Sequence, residues 1–316
     1  MPAPSANPAV LTPLRKEIET LDRRIVALLN KRLEVSTRIG AMKREQKTHN
    51  HSFDANREES LLRLLIGENP GPLSAASLRA IYREIFSSSR ARQSPLTIGY
   101  LDGDGTHDEC DHHTPLLAAC SRFGVEEHYR AVPRPQALIR ETASGRLTLS
   151  LFCPESLLAS GEAIAKDLYV CGEIVLSPAI PLGKGKGKGK ADAKTQKAEL
   201  PFFLLTRRES EPASTALLPG TRLLFLATRL GQAKTSTAKL AAWCRARRAR
   251  LLIQKNGAAL VSLEIGTKGA APAPLPQLEE SLRAALVGSP LSSKKSNAPR
   301  LLLLGAYLAE ETVTPA

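Results

Sequence analysis

Apolar residues recur between residues 11 and 93 at helical spacing: Leu14, Ile18, Leu21, Ile25, Leu28 and Leu29, then Val35, Ile39 and Met42. Steps of three and four keep these side chains on one stripe, so the pattern predicts one very long amphipathic helix. The stretch KTHNHSF breaks it. Asp54, an N-cap residue type, opens a second helix with Leu61, Leu62, Leu64 and Leu65 as its apolar face. ENPGPLS ends that helix, and Ser74 or Ser77 starts a third, which runs through Ile81, Ile85 and Phe86 to about Gln93. Residues 1–93 are therefore expected to form an all-α domain of one long and two shorter helices.

After Ser94 and Pro95 the texture changes to short apolar runs, LTIGYL, LTLSLF and EIVLS, separated by helix-like pieces and Gly-containing turns. This predicts a small α/β lobe over 94–182. GKGKGKGK and the polar residues after it, 183–198, read as a linker, because glycine alternating with lysine builds neither a helix nor a strand face. ELPFFLLT, within 199–218, reads as a strand returning to the lobe. From 219 to 316 the order is strand, helix, strand, strand, helix, strand, the split βαβ or ferredoxin-like order of an α+β domain. The expectation is a multidomain chain with no repeat at a fixed period.

Composition narrows the function classes. The 316 residues, 42% of them hydrophobic, suffice for two or three domains, each with its own core. The net charge of +13 is not one patch: it runs from about +6 over 1–93 to about −6 over 94–182 and back to about +5 and +8 beyond. With 4% aromatic residues and no basic stripe carrying stacking side chains, nucleic acid is not the expected partner. Apolar runs such as LLLLGAYLA fall far short of the roughly 20 residues that span a bilayer, and no basic n-region precedes an apolar run, so a cytoplasmic protein is expected. Five cysteines (Cys110, Cys120, Cys153, Cys171, Cys244) form no CxxC pair and imply no disulfide framework. HDECDHH, residues 107–113, has metal-ligand residue types without the paired spacing of a zinc site; it reads as a polar loop, and no metal is expected.

The candidate chemistry lies on the helices. Arg32 falls four residues after Leu28, on the side of the apolar stripe, where a cation needs a partner. Lys43 follows eleven residues later, roughly 16 Å along nearly the same face, so both cations can close on a small anion. DANREE places Asp54, Arg57 and Glu58 within one turn, and SSSRARQ places Ser89 and Gln93 one turn apart. Taken singly, these are snorkelling cations, an N-cap, a surface ion pair and a polar helix end.

Taken together, LTPLRKEIETLDRRIVALLNKR, the lysine eleven residues on, the DxxRE run and SxxxQ resemble the all-helical chorismate mutase family, in particular the mutase domain fused ahead of prephenate dehydratases. The resemblance covers nearly all of 11–93. It implies a cofactor-free Claisen rearrangement of chorismate to prephenate in phenylalanine and tyrosine biosynthesis, with a pocket of Arg15, Arg32, Lys43, Asp54, Arg57, Glu58, Ser89 and Gln93. By that resemblance, Arg15 and Arg32 clamp the substrate carboxylates, and Lys43 donates to a carboxylate and to the ether oxygen, which Gln93 also serves. Asp54 and Glu58 hold the ring hydroxyl, Ser89 helps with a carboxylate, and Arg57 orients that end of the pocket. Arg15 and Arg32 are seventeen residues apart on one helix, roughly 25 Å along the axis, and cannot converge within one chain. An antiparallel partner helix brings the second copy's Arg15 into reach, which matches the interlocked dimer of this family.

The α/β stretch resembles a prephenate dehydratase only in pieces. GYLDGDGTHDE stands where that family has a Gly-Thr-aromatic turn and keeps Gly105 and Thr106, while CPES, 153–156, stands near its Glu-Asn-Ser motif. The family's catalytic Thr-Arg-Phe triplet aligns with Leu200, Pro201 and Phe202, and its second lobe has no counterpart in the sequence. The resemblance therefore implies lost dehydratase activity. The tail resembles the ACT regulatory domain, with LGAYL as its terminal strand, but GQAKTS and IQKNG replace its phenylalanine-binding segments. An aromatic amino acid is the effector such a tail would take. Two alternatives stay open: a noncatalytic interaction protein of the shikimate pathway, and a bifunctional enzyme that keeps its dehydratase.

Overall fold

The computed structural model describes residues 8–45, 55–102, 114–176, 200–208, 220–230, 234–265, 275–286 and 300–308. Three helices come first: α1 (Pro8–Glu45), α2 (Ala55–Gly67) and α3 (Ala75–Gln93). The start of α3 is fixed by Ser74, whose backbone is extended and whose hydroxyl accepts the Ser77 N–H at 3.0 Å, satisfying one of the free donors of a helix N-terminus. α1 packs along α3 only in its C-terminal half, where Ser36 and Gly40 are buried. Residues 12–31 are exposed throughout, and among the described residues nothing covers the apolar stripe there: Ile18 is 57% exposed, Ile25 53% and Leu28 67%.

The next unit alternates strand and helix: β1 (Thr97–Leu101), α4 (Thr114–Phe123), β2 (His128–Val132), α5 (Pro135–Ala143), β3 (Leu149–Phe152), α6 (Pro154–Asp167), β4 (Leu168–Leu176) and β5 (Leu200–Arg207). Its sheet runs β2-β1-β3-β5-β4, with β1 parallel to both neighbours and β5 antiparallel to β3 and β4. The all-buried β3, LSLF, pairs Phe152 with Phe203 at the centre, as expected of a strand covered on both faces.

The third unit is β6 (Thr221–Thr228), α7 (Lys234–Arg247), β7 (Arg250–Lys255), β8 (Ala258–Glu264), α8 (Leu275–Leu286) and β9 (Arg300–Leu308), with sheet order β7-β8-β6-β9, antiparallel throughout. Period-two alternation divides its side chains between two cores. Leu223, Phe225, Ala227, Val261 and Leu263 pack under α7 and α8 with Leu240, Trp243 and Leu282. Leu224, Leu226, Leu260, Leu304 and Tyr307 point the other way and share a core with Leu157, Ile164, Val170 and Phe203 of the α/β unit. A register shift in the pairing of β6 with β9 moves the lobe-facing set on β9 from Leu304 to Tyr307. Gly305 lies at that shift, and a Cβ there would run into the Val170 carbonyl. Arg222, Glu173 and Tyr307 close the same seam: Arg222 Nη1 donates to Glu173 Oε2 at 2.7 Å, and the Tyr307 hydroxyl donates to the same oxygen at 3.2 Å.

Candidate active site

The contact between α1 and α3 brings together three of the candidate polar residues, Arg32, Ser89 and Gln93. Arg32 reaches across from α1: Nη1 donates a short hydrogen bond to Ser89 Oγ and a longer one, 3.5 Å, to the Ile85 carbonyl. Its guanidinium lies over the Phe86 ring, 5.6 Å from the centroid, a cation–π contact that lets a charge rest against an apolar wall. Ser89 also donates to the Ile85 carbonyl at 2.7 Å. Desolvation lowers the pKa of Arg32, while the charges of Tyr82 and Glu58 raise it; a guanidinium remains cationic through such a shift. One turn along α3, Gln93 packs against Gly40 of α1, where an added Cβ would lie 3.1 Å from the Gln93 Cα and Cγ. Glycine at 40 thus sets how closely the two helices approach beside Gln93.

Arg32, Ser89, Gln93 and Glu58 come together in this region. Arg15 stands on the exposed half of α1, and Arg57 is exposed on α2. Lys43 lies on α1 with its side chain outside the described residues, and Asp54 lies outside them as well. Residues 107–113 and the Gly/Lys tract are likewise outside. Among the described residues no group of three His, Cys, Asp or Glu side chains is placed to hold a metal ion, and no helix is long and apolar enough to cross a membrane.

Glu58 is held in a way that the helical pattern does not foretell. Arg90 Nη1 donates to both of its carboxylate oxygens, at 2.6 and 2.8 Å, and Arg122 of α4 stands 4.0 Å from Oε2. Within SSSRARQ, Arg90 reads as one more cation in the last turn of a helix, a common electrostatic preference. Its partners lie 32 and 37 residues away, so no local spacing marks it.

Residues 14–94 match the family profile for chorismate mutase type II. Similar curated proteins are bifunctional chorismate mutase/prephenate dehydratases: one from Neisseria gonorrhoeae, 30% identical over 173 residues, with 53% of this chain and 45% of that protein covered. Another, from Aquifex aeolicus, is 28% identical over 174 residues, with 52% and 46% covered. The chain thus spans somewhat under half the length of these curated relatives. Among solved structures, a prephenate dehydratase from Staphylococcus aureus superposes with a TM-score of 0.39 at 12% identity, over 67% of this chain and all of that one. The match from Leu14 to Ser94 covers the helices that carry Arg32, Glu58, Ser89 and Gln93, so the N-terminal helical unit of this chain is similar to the chorismate mutase type II family.

Proposed function

We propose that the helical unit is an active chorismate mutase that works as a homodimer without a cofactor. The observation that carries this is the Arg32–Ser89 contact across α1 and α3, with Gln93 one turn further on and Glu58 close enough for its charge to act on Arg32. Chorismate carries two carboxylates, a ring hydroxyl and an ether bond that breaks as a new carbon–carbon bond forms. An intramolecular rearrangement needs no nucleophile, acid or base. The site has to select the folded conformer and stabilise negative charge growing on the ether oxygen. Arg32, pre-set by Ser89 and Phe86, holds one carboxylate. Lys43 and Gln93 donate to the ether oxygen, Asp54 and Glu58 accept from the ring hydroxyl, and Arg57 orients that end.

The second carboxylate requires Arg15 of another copy. The uncovered stripe of Leu14, Ile18, Leu21, Ile25 and Leu28 supports this, since so long an exposed apolar face on one helix calls for a covering surface. An antiparallel α1 from a second copy carries the complementary stripe. Placement in the cytoplasm fits a pathway of small soluble metabolites.

The α/β unit is proposed to have lost dehydratase activity. Pro201 and Phe202 occupy the strand where the resemblance calls for Arg and Phe after a catalytic threonine, and Phe202 is buried in the sheet core. The last unit is proposed to be ACT-like, because its antiparallel order β7-β8-β6-β9 with two helices on one face suits a ferredoxin-like domain; an aromatic amino acid would be its effector. Product analysis tests the whole reading. Purified protein given chorismate should accumulate prephenate and no phenylpyruvate. Phenylpyruvate formation by the pure chain would restore the dehydratase, and unchanged chorismate would remove the mutase.

A further inference from the structure

We propose that Arg90 is a positioning residue of the mutase site and that the α/β unit, by gripping Arg90, forms a working outer wall of that site. The proposal rests on the mutase reading above. It starts from the two faces of α3. Ile85, Ser89 and Gln93 fall on the side turned to α1, and Arg90, one residue after Ser89, is rotated about 100° away from it. Beyond it the far face of α3 is docked on the segment that links α4 to β2. Ser88 Oγ donates to Glu126 at 2.8 Å, the Glu126 N–H donates to Ser87 Oγ at 3.2 Å, and the Val125 N–H donates to Glu84 at 3.3 Å. Gly124, at φ +80°, lets the chain turn against α3, and a Cβ there would press on Glu84 and Ser87 at 2.7 Å.

Arg90 bridges the two sides. Toward the site it holds both oxygens of Glu58. Toward the α/β unit its Nε donates to Glu127 Oε1 at 2.7 Å and its Nη2 to the Phe123 carbonyl at 2.7 Å, with the guanidinium 5.7 Å from the Phe123 ring centroid. The Glu127 side chain is fully buried, and its second oxygen accepts the Leu96 N–H at 2.8 Å. A planar guanidinium with a fixed fork of donors is therefore set from behind by a buried carboxylate, a carbonyl and an aromatic face. Its remaining edge fixes the orientation of Glu58. A carboxylate has lone pairs on both sides of each oxygen, so Glu58 engaged by Arg90 still accepts a substrate hydroxyl, now without having to reorganise. A pocket acceptor is in this way oriented by groups that lie in the α/β unit.

The test is steady-state kinetics of chorismate consumption by the full chain, with thermal melting of each variant. Arg90→Met should raise KM by about tenfold and change kcat by less than about threefold, the signature of a misplaced binding group. Glu127→Gln, which touches no substrate and keeps the side-chain volume, should raise KM in the same direction by about threefold. Combining Arg90→Met with Glu58→Gln should be no worse than Glu58→Gln alone, because Arg90 acts through Glu58. A purely structural tie predicts otherwise: lower melting temperatures with an unchanged KM, or KM effects of Arg90→Met and Glu58→Gln that multiply. Either result overturns the proposal while leaving the mutase in place. Should Arg90→Met fail to fold, Glu127→Gln decides alone, by its KM. A wild-type chain that leaves chorismate untouched overturns the mutase reading and this proposal together.

Discussion

Gln93 carries no charge at any working pH, so the hydrogen bond it is proposed to give the ether oxygen does not titrate. Turnover is therefore expected to stay level between pH 6 and 8. A glutamate in the same place donates only when protonated. Gln93→Glu should consequently lose about tenfold in kcat for each pH unit above its own pKa and recover on the acid side. A level pH–rate profile for that variant would remove Gln93 from the chemistry. Arg32 is the other residue whose role follows from its surroundings. It is half-buried, its charge is placed by Ser89 and the Phe86 face, and its neighbours Glu58 and Tyr82 oppose the desolvation that lowers its pKa. A cation so positioned is already oriented before an anion arrives, which keeps small the reorganisation needed on binding.

Among the elements, α3 is the shared wall of two units, with the α1 contact on one face and the α/β segment 123–127 on the other. β9 does the equivalent at the far end, where Gly305 permits β4 and β9 to touch backbone to backbone. Gly305→Ala should destabilise the chain by about 1–3 kcal/mol, since the obstruction is a carbonyl that cannot swing aside. A melting temperature equal to that of the wild type would show that the strands yield instead. The helices were legible because caps and a 3.6-residue period are local signals: Ser74 does cap α3, and the apolar stripe of α1 does run its length. RLLFLAT and RLLLLGAYL were legible as strands, and their unbroken apolar runs are the trace of a sheet buried on both faces. The other body it packs against could not be named from the runs themselves. Arg90 was not legible at all, because what makes it informative is Glu127, a buried carboxylate brought to it only by the fold.

At the scale of the whole molecule, the exposed apolar face on residues 14–29 and the proposed role of a partner's Arg15 are both met by the second copy that we propose. Ile25→Asp places a charge in the middle of that stripe. It should shift the sedimentation of the protein from dimer to monomer and, with the partner's Arg15 gone, reduce kcat/KM by about a hundredfold or more. A monomeric variant of full activity would break the link between assembly and site. In the proposed dimer the α/β and C-terminal units form the outer support, and within each chain they are locked together by the seam of Glu173, Arg222 and Tyr307. The claim on which all of this depends is that α1 and α3 form a chorismate-binding site around Arg32. It is tested most directly by following chorismate absorbance with the wild type and Arg32→Ala side by side, both shown to be folded. The account predicts turnover by the wild type and a loss of about a hundredfold to a thousandfold in kcat/KM for the variant. Equal rates in the two proteins, or none in either, would contradict it.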